Sequence, residues 1–453
     1  MIELTRSHHA VVGAAHQPSA GRRAGLCSLG LIMGLAVAAD LVTVQANGFE
    51  KPAFIVAMAL LGADLLLRLK SGLNRLVGWR LLTLTATLGI SGFIGVPFRE
   101  GGTAFYTAGD LGVVVAPAMI ALSMSSWKDA ARSFFVPFFA VLLLASLLAG
   151  VLAVDGSRFE APPLILVAAI GAAAAIARKR KSRVLAFAIL IGLALLALMS
   201  GERASLLLSL AVLAFTLGVW FRLTASKLIL ITPVVMLFIV SLLDSGVLSS
   251  LASRALSIEA VSSSRIVALG VGNKADDAST TARLLEAQDV IDEMIEQASP
   301  LIWMFGNGHG ATYQPRLSFI DRNVGEDNRV HHIHVGPAMV LYRYGLVGLA
   351  LYAVLLVSSV VYAWRAYHFF LYARVRGHAP DGLGAFQALC SLALLLYVIN
   401  SFTHNSFASL PFAVALAGAL SLDRGRPKPR AIVGFRVNRP IVPGALPLER
   451  TER

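Results

Sequence analysis

The chain has 453 residues, of which 57% are hydrophobic and only 14% are charged. Because soluble globular domains carry about 25% charged residues, this composition excludes a water-soluble globular protein. The net charge of +13 would suit nucleic acid, but basic residues of membrane proteins collect in cytoplasmic loops, so we expect no nucleic-acid partner.

Long apolar stretches recur from Gly25 to Leu422, and most are long enough to cross a lipid bilayer. They are continuously apolar, which favours helices over the alternating strands of a membrane β-barrel. The predicted fold class is therefore an all-α polytopic membrane protein with about twelve transmembrane helices. Asp40 and Asp64 lie within the first two spans, either as functional groups facing the bundle interior or as residues near an interface. The predicted spans are Gly25–Val44, Pro52–Leu69, Leu76–Phe98, Ala104–Met124, Phe134–Val154, Pro162–Ala177, Val184–Met199, Ala204–Phe221, Leu228–Val247, Val335–Trp364, Leu383–Phe402 and Phe407–Leu422.

Basic residues concentrate in alternate connections between these spans, as in the RKRKSR run from Arg178 to Arg183. By the positive-inside rule, these connections and both chain termini are cytoplasmic. The sequence thus divides into a cytoplasmic N-terminal segment (1–24), the first transmembrane helices (25–248), one large outer loop (249–334), the last transmembrane helices (335–422) and a basic cytoplasmic tail (423–453).

The outer loop contains one predicted helix, STTARLLEAQDVIDEMIEQASP. Residues 279 and 280, a serine and a threonine, suit its N-terminal cap, and Pro300 marks its end. Arg283 then lies in the first turn, where a cation opposes the helix dipole unless an anion is bound there. Arg283 is therefore either part of an anion site or an ordinary ion-pair partner of Glu286 or Asp289. The apolar residues that repeat with the helical period are Leu284, Ala287, Ile291, Met294 and Ile295.

A glycine-rich stretch, FGNGHGATY, follows this helix between Phe305 and Tyr313. Three glycines in five residues indicate a tight loop with close backbone approach. The stretch does not have the strand–helix context of a nucleotide-binding motif. It is either a loop in which Gly306, Gly308 and His309 shape a glycan or phosphate site, or a simple turn.

Three histidines, His331, His332 and His334, precede the span that begins at Val335. A metal site through His332 and His334 is one interpretation, although H-x-H without an acidic or cysteine partner is a weak ligand pattern. Polar anchoring at the membrane interface is a second. The third is a general base, because histidine titrates near neutral pH and can accept a proton from a sugar hydroxyl.

Further polar residues are predicted on the same outer side. Arg203 begins a span in SGERASLLLSL, where its guanidinium either extends toward lipid headgroups or binds a phosphate in a bidentate manner. The short connection FTHNS supplies His404 and Asn405. The predicted topology therefore places Arg203, Arg283, His334 and His404 on one side of the membrane.

Three of these segments resemble motifs of the O-antigen ligase and O-antigen polymerase superfamily of bacterial envelope glycosyltransferases. SGERASLL is similar to the family's serine–arginine segment at the start of a span. TARLLEAQDVIDEMIEQASPLIWMFGNGHG resembles its loop helix, which opens with arginine and closes in a Gly-x-Gly turn. HIHVGPAMVLYRYGLVGLALY is similar to its histidine segment, which enters a helix ending in Tyr-Gly-x-x-Gly. The resemblance extends from about Ser200 to Leu410.

The resemblance implies a GT-C-like fold with a periplasmic loop, in the inner membrane of a bacterium. It implies that His334, eleven residues before Gly345, is the catalytic base. The family's next residue is usually asparagine, whereas this chain has Val335, and His332 is the alternative base. Arg203 and Arg283 match the family's two arginines, which hold the diphosphate of the donor.

The expected activity is an inverting transfer of an undecaprenyl-diphosphate-linked glycan to an acceptor sugar, without a metal or another cofactor. The expected partners are this donor, an acceptor glycan or lipid-linked repeat, membrane lipid, a flippase and a chain-length regulator. Polymerisation of exopolysaccharide or O-antigen repeats is favoured, and ligation to lipid A core is the alternative. A twelve-helix transporter is an alternative from another class, and it would carry polar residues and broken helices at mid-membrane.

Overall fold

The computed structural model describes residues 30–35, 37–38, 79–99, 101–124, 131–152, 161–199, 203–224, 227, 274–316, 329–376, 382–403, 407 and 409–421. Within these ranges the chain is almost entirely helical and contains no β-strand, only an antiparallel bridge between Tyr313 and Val330. The helices are α1 (Trp79–Gly95, extended by a 3-10 turn Val96–Phe98), α2 (Ala104–Met124), α3 (Ala131–Leu152), α4 (Leu164–Ile176), α5 (Arg180–Met199), α6 (Arg203–Trp220), α7 (Lys274–Gln297), α8 (Pro300–Phe305), α9 (Gly336–Arg376), α10 (Gly382–Asn400) and α11 (Leu410–Ser421).

The protein is an α-helical membrane protein. Four helices, α1, α2, α5 and α9, are long and apolar enough to cross a bilayer, and shorter apolar segments of 10–17 residues lie within α3, α4, α6, α10 and α11. Each of these nine lies where the sequence predicts a span. The predicted spans 52–69 and 228–247, most of 25–44, Asp40, Asp64 and the two terminal segments 1–24 and 423–453 lie outside the described residues. The total of about twelve spans and the GT-C-like arrangement therefore stay predictions.

Contacts between helix termini show which termini share one end of the bundle. The backbone N–H of Gly336, at the start of α9, donates to the carbonyl of Ser401, just after α10, at 2.8 Å. The backbone N–H of Ile165, at the start of α4, donates to the hydroxyl of Tyr397 near the end of α10 at 3.4 Å. The starts of α9 and α4 therefore lie beside the end of α10, and we call this end the cap end.

Helix α6 also begins at the cap end, because it runs antiparallel to α4. The indole N–H of Trp220 donates to the carbonyl of Ala174 at 3.2 Å, and the hydroxyl of Thr216 donates to the carbonyl of Gly171 at 3.3 Å. The end of α6 thus lies beside the end of α4, away from the cap end. Arg203, the first residue of α6, lies at the cap end.

The end of the bundle opposite the cap end is rich in basic residues. Arg374 of α9 donates to the carbonyl of Ala177, just after α4, at 3.4 Å. The hydroxyl of Tyr367 donates to the carbonyl of Leu223 after α6 at 2.7 Å. The basic residues in these connections and adjoining first turns are Arg178, Lys179, Arg180, Lys181, Arg183 and Arg222.

Helix α9 is broken at Gly345, whose φ of 62° and ψ of −158° are not helical. The break separates a short helix, residues 336–344, from the long apolar part of α9, and it deprives the carbonyls of the last short turn of helical partners. The loop after α8 supplies replacements. The backbone N–H of Asn307 donates to the carbonyl of Tyr342 at 2.7 Å, and that of Gly308 donates to the carbonyl of Arg343 at 3.0 Å.

Candidate functional site

We use the name cap for α7, α8 and the segments 306–316 and 329–335 at the cap end. Helix α7 begins at Lys274, earlier than the predicted cap at residues 279 and 280, because no glycine or proline interrupts the sequence before Arg283. The prediction that Arg283 lies in the first turn is therefore wrong. The start of this helix therefore does not support an anion site at Arg283. The predicted end of the helix is confirmed, because α7 ends at Gln297, just before Pro300.

The buried face of α7 carries acidic residues rather than only apolar ones. Glu286, Asp289 and Glu293 are buried, together with Val290 and Met294. The apolar period predicted a helix correctly, but not which face of it is covered. Three of the apolar residues that repeat with the helical period, Leu284, Ile291 and Ile295, are exposed.

Two of these buried carboxylates hold the main chain of the segment that follows the glycine loop. Glu293 accepts a hydrogen bond from the backbone N–H of Gln314 at 2.8 Å, and Asp289 accepts one from that of Arg316 at 3.1 Å. Glu293 also accepts from the hydroxyl of Tyr342 at 2.8 Å and from the guanidinium of Arg329. Polar groups that lose contact with water need such partners, so the acidic face holds the segments of the cap together. Through Tyr342, Glu293 also connects the cap to α9.

The third buried carboxylate, that of Glu286, binds His334. One oxygen, Oε2, accepts the backbone N–H of His334 at 3.0 Å, and the other, Oε1, lies 3.1 Å from Nδ1 of the His334 ring. Oε1 also accepts from the hydroxyl of Tyr313 at 3.0 Å. The His334 side chain is 35% exposed, whereas that of Glu286 is 1% exposed. A buried carboxylate therefore holds a partly exposed imidazole through Nδ1.

Two further predicted site residues, Arg283 and His332, lie near this pair in the chain. Arg283 precedes Glu286 by three residues on α7, and residues at this spacing are neighbours on a helix surface. The ring of His332, an exposed residue, lies 4.6 Å from that of His334 in an edge-on arrangement. Arg283 is thus a helix neighbour of Glu286, and His332 lies beside the histidine ring that Glu286 binds.

The glycine loop predicted to shape a glycan site is buried between α1 and α9. Gly306 and Gly308 have φ of 76° and 82°, and a Cβ on Gly308 would lie 2.4 Å from the backbone nitrogen of Val96. The imidazole of His309 packs edge-on against Phe93, with ring centroids 5.4 Å apart. Burial lowers the pKa of His309 below its ordinary value of 6.5. These residues fix the cap on α1, and their contact with a glycan stays a prediction.

The remaining predicted residues are Arg203, His404 and Asn405. Arg203 begins α6 at the cap end. His404 and Asn405 lie outside the described residues, in the connection between α10 and α11. Ser401, just before them, accepts a hydrogen bond from the start of α9.

A buried charge pair, Asp110 of α2 and Arg343 of α9, was missed by the sequence analysis. Nη1 of Arg343 lies 2.6 Å from Oδ1 of Asp110, and the two side chains are 7% and 5% exposed. Nη2 of Arg343 donates to the carbonyl of His331 at 2.7 Å, and the other Asp110 oxygen accepts the backbone N–H of Gly310 at 2.7 Å. The signal was available, because charged residues within apolar spans indicate an interior partner or a functional site.

The ring of His331 completes this cluster. It stacks on Tyr106 with centroids 4.2 Å apart, and its Nε2 lies 3.4 Å from Oδ1 of Asp110. In the described part of the chain, no group of three or more His, Cys, Asp or Glu side chains is arranged to hold a metal ion.

An apolar cavity of about 90 Å³ lies beside the short helix of α9. Met339, Tyr344 and Gly348 line it from α9, on both sides of the break at Gly345. Other lining residues include Leu84 and Leu88 of α1, Val114 of α2, and Phe412 and Leu416 of α11.

No model of a known protein family matches the chain, and no curated protein matches it.

Proposed function

We propose that the protein is an inverting glycosyltransferase that moves a glycan from a polyprenyl diphosphate to an acceptor sugar at the periplasmic face of a bacterial inner membrane. The observation that carries the proposal is the pairing of His334 with the buried Glu286 at the cap end, three residues from Arg283 on α7. Polymerisation of exopolysaccharide or O-antigen repeats is the favoured reaction, and ligation to lipid A core is the alternative.

In the proposed reaction His334 accepts the proton of the acceptor hydroxyl. The oxygen attacks the anomeric carbon of the donor sugar, and the bond from that carbon to the diphosphate oxygen breaks. The leaving diphosphate gains charge, which Arg203 and Arg283 stabilise where it develops. In support, Arg203 begins its helix at the same end of the bundle as His334. The family resemblance implies that no metal is required.

The apolar cavity beside the short helix supports a lipid-linked donor. Its lining is composed largely of apolar side chains from α1, α2, α9 and α11, and it lies next to the helix that His334 precedes. A hydrocarbon chain next to such a surface releases water from apolar area, which is favourable. A diphosphate attached to that chain would then lie near the cap end.

The distribution of basic residues supports a periplasmic cap. Basic residues in short connections favour the cytoplasmic side, and the connections from α4 to α5 and after α6 carry several at the end opposite the cap. Undecaprenyl-linked glycans are the expected donors on the periplasmic side, according to the family resemblance.

A transporter is the second candidate, because α9 is broken at Gly345 and the Asp110–Arg343 pair lies between two membrane helices. Broken helices in transporters expose backbone groups to a substrate near mid-membrane. In this protein the carbonyls of Tyr342 and Arg343 accept N–H groups of the glycine loop instead. The break therefore holds the cap, which favours a transferase.

The test is a His334→Ala variant, expressed in producing cells from which the native gene is deleted. We expect no polymer of more than one repeat on a gel of extracted polysaccharide, because the acceptor hydroxyl keeps its proton. His368→Ala is the control, since His368 is an exposed histidine of α9 in the half away from the cap. A normal chain-length distribution from His334→Ala, at normal protein level in the membrane fraction, would show that the base assignment is wrong.

A further inference from the structure

We propose that Glu286 is the positioning residue for His334: it selects the tautomer of the imidazole and stabilises the imidazolium that forms during transfer. This inference rests on the proposed function, because it assigns a role to Glu286 only if His334 is the base. Glu286 lies within the loop-helix segment that opens with Arg283, but the family resemblance assigns no role to it. Its assignment comes from contacts between residues that are 48 positions apart.

Glu286 selects the tautomer of the His334 imidazole. An ionised carboxylate can only accept hydrogen bonds, so a ring nitrogen 3.1 Å from Oε1 of Glu286 must carry a proton to bind it. That nitrogen is Nδ1. The lone pair of the neutral ring is therefore on Nε2, which is the nitrogen available to accept a proton from a hydroxyl.

Glu286 also fixes the orientation of the His334 imidazole. Oε2 of Glu286 holds the backbone N–H of His334, while Oε1 faces its ring, so one carboxylate fixes both the main chain and the side chain of the same residue. The hydroxyl of Tyr313 donates to Oε1 at 3.0 Å and limits rotation of the carboxylate. Since effective proton transfer requires a base within hydrogen-bonding reach of the hydroxyl, a freely rotating imidazole would lose rate.

Glu286 also stabilises the positive charge that forms on the His334 imidazole. When His334 accepts the proton of the acceptor, the ring becomes a cation. Glu286 is 1% exposed, so water and salt screen its charge less than that of a surface carboxylate. A carboxylate behind a catalytic histidine acts in this way in serine proteases, where it remains ionised. Arg283, three residues earlier on α7, would hold the departing anion on the same helix that carries this carboxylate.

Asp289 offers a matched control. It is another buried acid of α7, but its carboxylate accepts the backbone N–H of Arg316 rather than a histidine ring. Glu286→Gln and Asp289→Asn each replace one oxygen by an amide nitrogen without loss of volume. Only the first change lets an amide N–H donate to Nδ1 of His334, which would place the ring proton on Nε2 and block the base.

The experiment measures initial transfer rates with purified protein in liposomes, using lipid-linked repeat units extracted from producing cells as the donor. We expect Glu286→Gln to lower kcat by roughly 10²–10⁴-fold with a nearly constant KM. Asp289→Asn should keep kcat within about threefold of the native value, a change too small for loss of a general base. In a His334→Ala background, Glu286→Gln should cause no additional loss, because it acts through the histidine.

Equal losses in Glu286→Gln and Asp289→Asn, or an additional loss in the double variant, would overturn the proposal and leave Glu286 as an attachment point of the cap. If Glu286→Gln does not accumulate, Glu286→Asp keeps the charge and moves it away from the ring, and an unchanged kcat in that variant would overturn the proposal. Full activity of His334→Ala is a separate outcome. It would reject the proposed base, and with it any positioning role.

Discussion

A buried arginine–aspartate pair connects two membrane helices at the level of the cap. Each member of the pair has a further hydrogen bond. The backbone N–H of Gly310 donates to the other carboxylate oxygen of Asp110, and the guanidinium of Arg343 donates to the carbonyl of His331. Removal of one charge from such a pair leaves the other buried without compensation. A single substitution in this pair therefore has a large expected electrostatic effect.

Asp110→Asn and Arg343→Met should each lower the free energy of unfolding by about 3–5 kcal/mol. The Asp110→Asn/Arg343→Met double variant should lose less than either single variant, since it leaves no unpaired charge. Thermal unfolding in detergent, followed by tryptophan fluorescence, measures these differences. A double variant as unstable as the sum of its singles would contradict this account.

The exposed pair of Glu296 and Arg316 is the control for that experiment. The hydrogen bond from Arg316 lowers the pKa of the Glu296 carboxyl, with Nη2 and Oε2 2.6 Å apart. Both side chains are about half exposed, at 54% and 45%, so water screens the pair. Glu296→Gln should leave the unfolding temperature at neutral pH unchanged within error.

His309 should give the stability of the protein a pH dependence. Burial lowers its pKa below the ordinary value of 6.5, so the unfolded chain takes up a proton at a higher pH than the folded protein. The stabilisation is complete above pH 6.5 and is lost as the pH falls through the lower pKa of the folded state. His309→Gln should flatten the fall of the unfolding temperature as the pH drops below 6.5. If the variant has the same dependence of unfolding temperature on pH as the native protein, His309 is not the source of that dependence.

At the scale of helices, most of the membrane-spanning elements were predictable from the sequence. Helix α2 coincides with the predicted span at residues 104–124, and α10 with the predicted span at 383–402 to within two residues. Ends of apolar runs mark these boundaries because unpaired charges are costly inside lipid. The buried acidic face of α7 was not predictable in this way, since its partners are backbone groups of a loop that has no periodicity.

The hydropathy pattern did not predict the break at Gly345, because a single glycine does not interrupt an apolar run. Only the resemblance, with its helix ending in Tyr-Gly-x-x-Gly, pointed to this position. The cause of the break lies in the loop that includes Asn307 and Gly308, which supplies N–H groups to the carbonyls before the break. The segment has the length of a span with or without these contacts. Hydropathy could therefore give the existence of α9, but not its division into two parts.

Gly345→Ala tests how much the break contributes to stability. The φ of 62° and ψ of −158° belong to a region that is open almost only to glycine, and a Cβ would lie 2.4 Å from the carbonyl carbon of Met304. We expect a loss of at least about 1–3 kcal/mol in unfolding free energy, together with loss of polymer formation. Gly192→Ala is the control, because a Cβ there meets no atom within 4 Å. Equal stability of the two variants would contradict a strained break.

At the scale of the whole molecule, the sequence placed the predicted polar residues on one side of the membrane without giving their contacts. Topology and motif order selected Arg203, Arg283 and His334. The structure adds that α6 and α9 begin at the same end, and that Glu286 binds His334. Glu286 was visible in the sequence only as a neighbour of Arg283, because a contact across 48 residues depends on how the cap folds back onto α9.

The orientation of the molecule determines which substrates it can reach. If the cap is periplasmic, Gln288, an exposed residue of α7, faces the outside, and Lys181, an exposed residue at the start of α5, faces the cytoplasm. The charge of residues 178–183 favours this orientation over its inverse, since Arg and Lys in short connections are retained on the cytoplasmic side. An inverted molecule would meet nucleotide-linked sugars instead of polyprenyl-linked glycans, so orientation bears directly on the donor.

Cysteine labelling of intact cells tests the orientation. A membrane-impermeant maleimide that passes the outer membrane should label Gln288→Cys in intact cells, because water surrounds that side chain on the outer side. It should label Lys181→Cys only after the inner membrane is opened. The parent chain, with its own two cysteines, gives the background. The opposite labelling pattern would place the cap in the cytoplasm and remove undecaprenyl-linked glycans as donors, even though the Glu286–His334 pair would be unchanged.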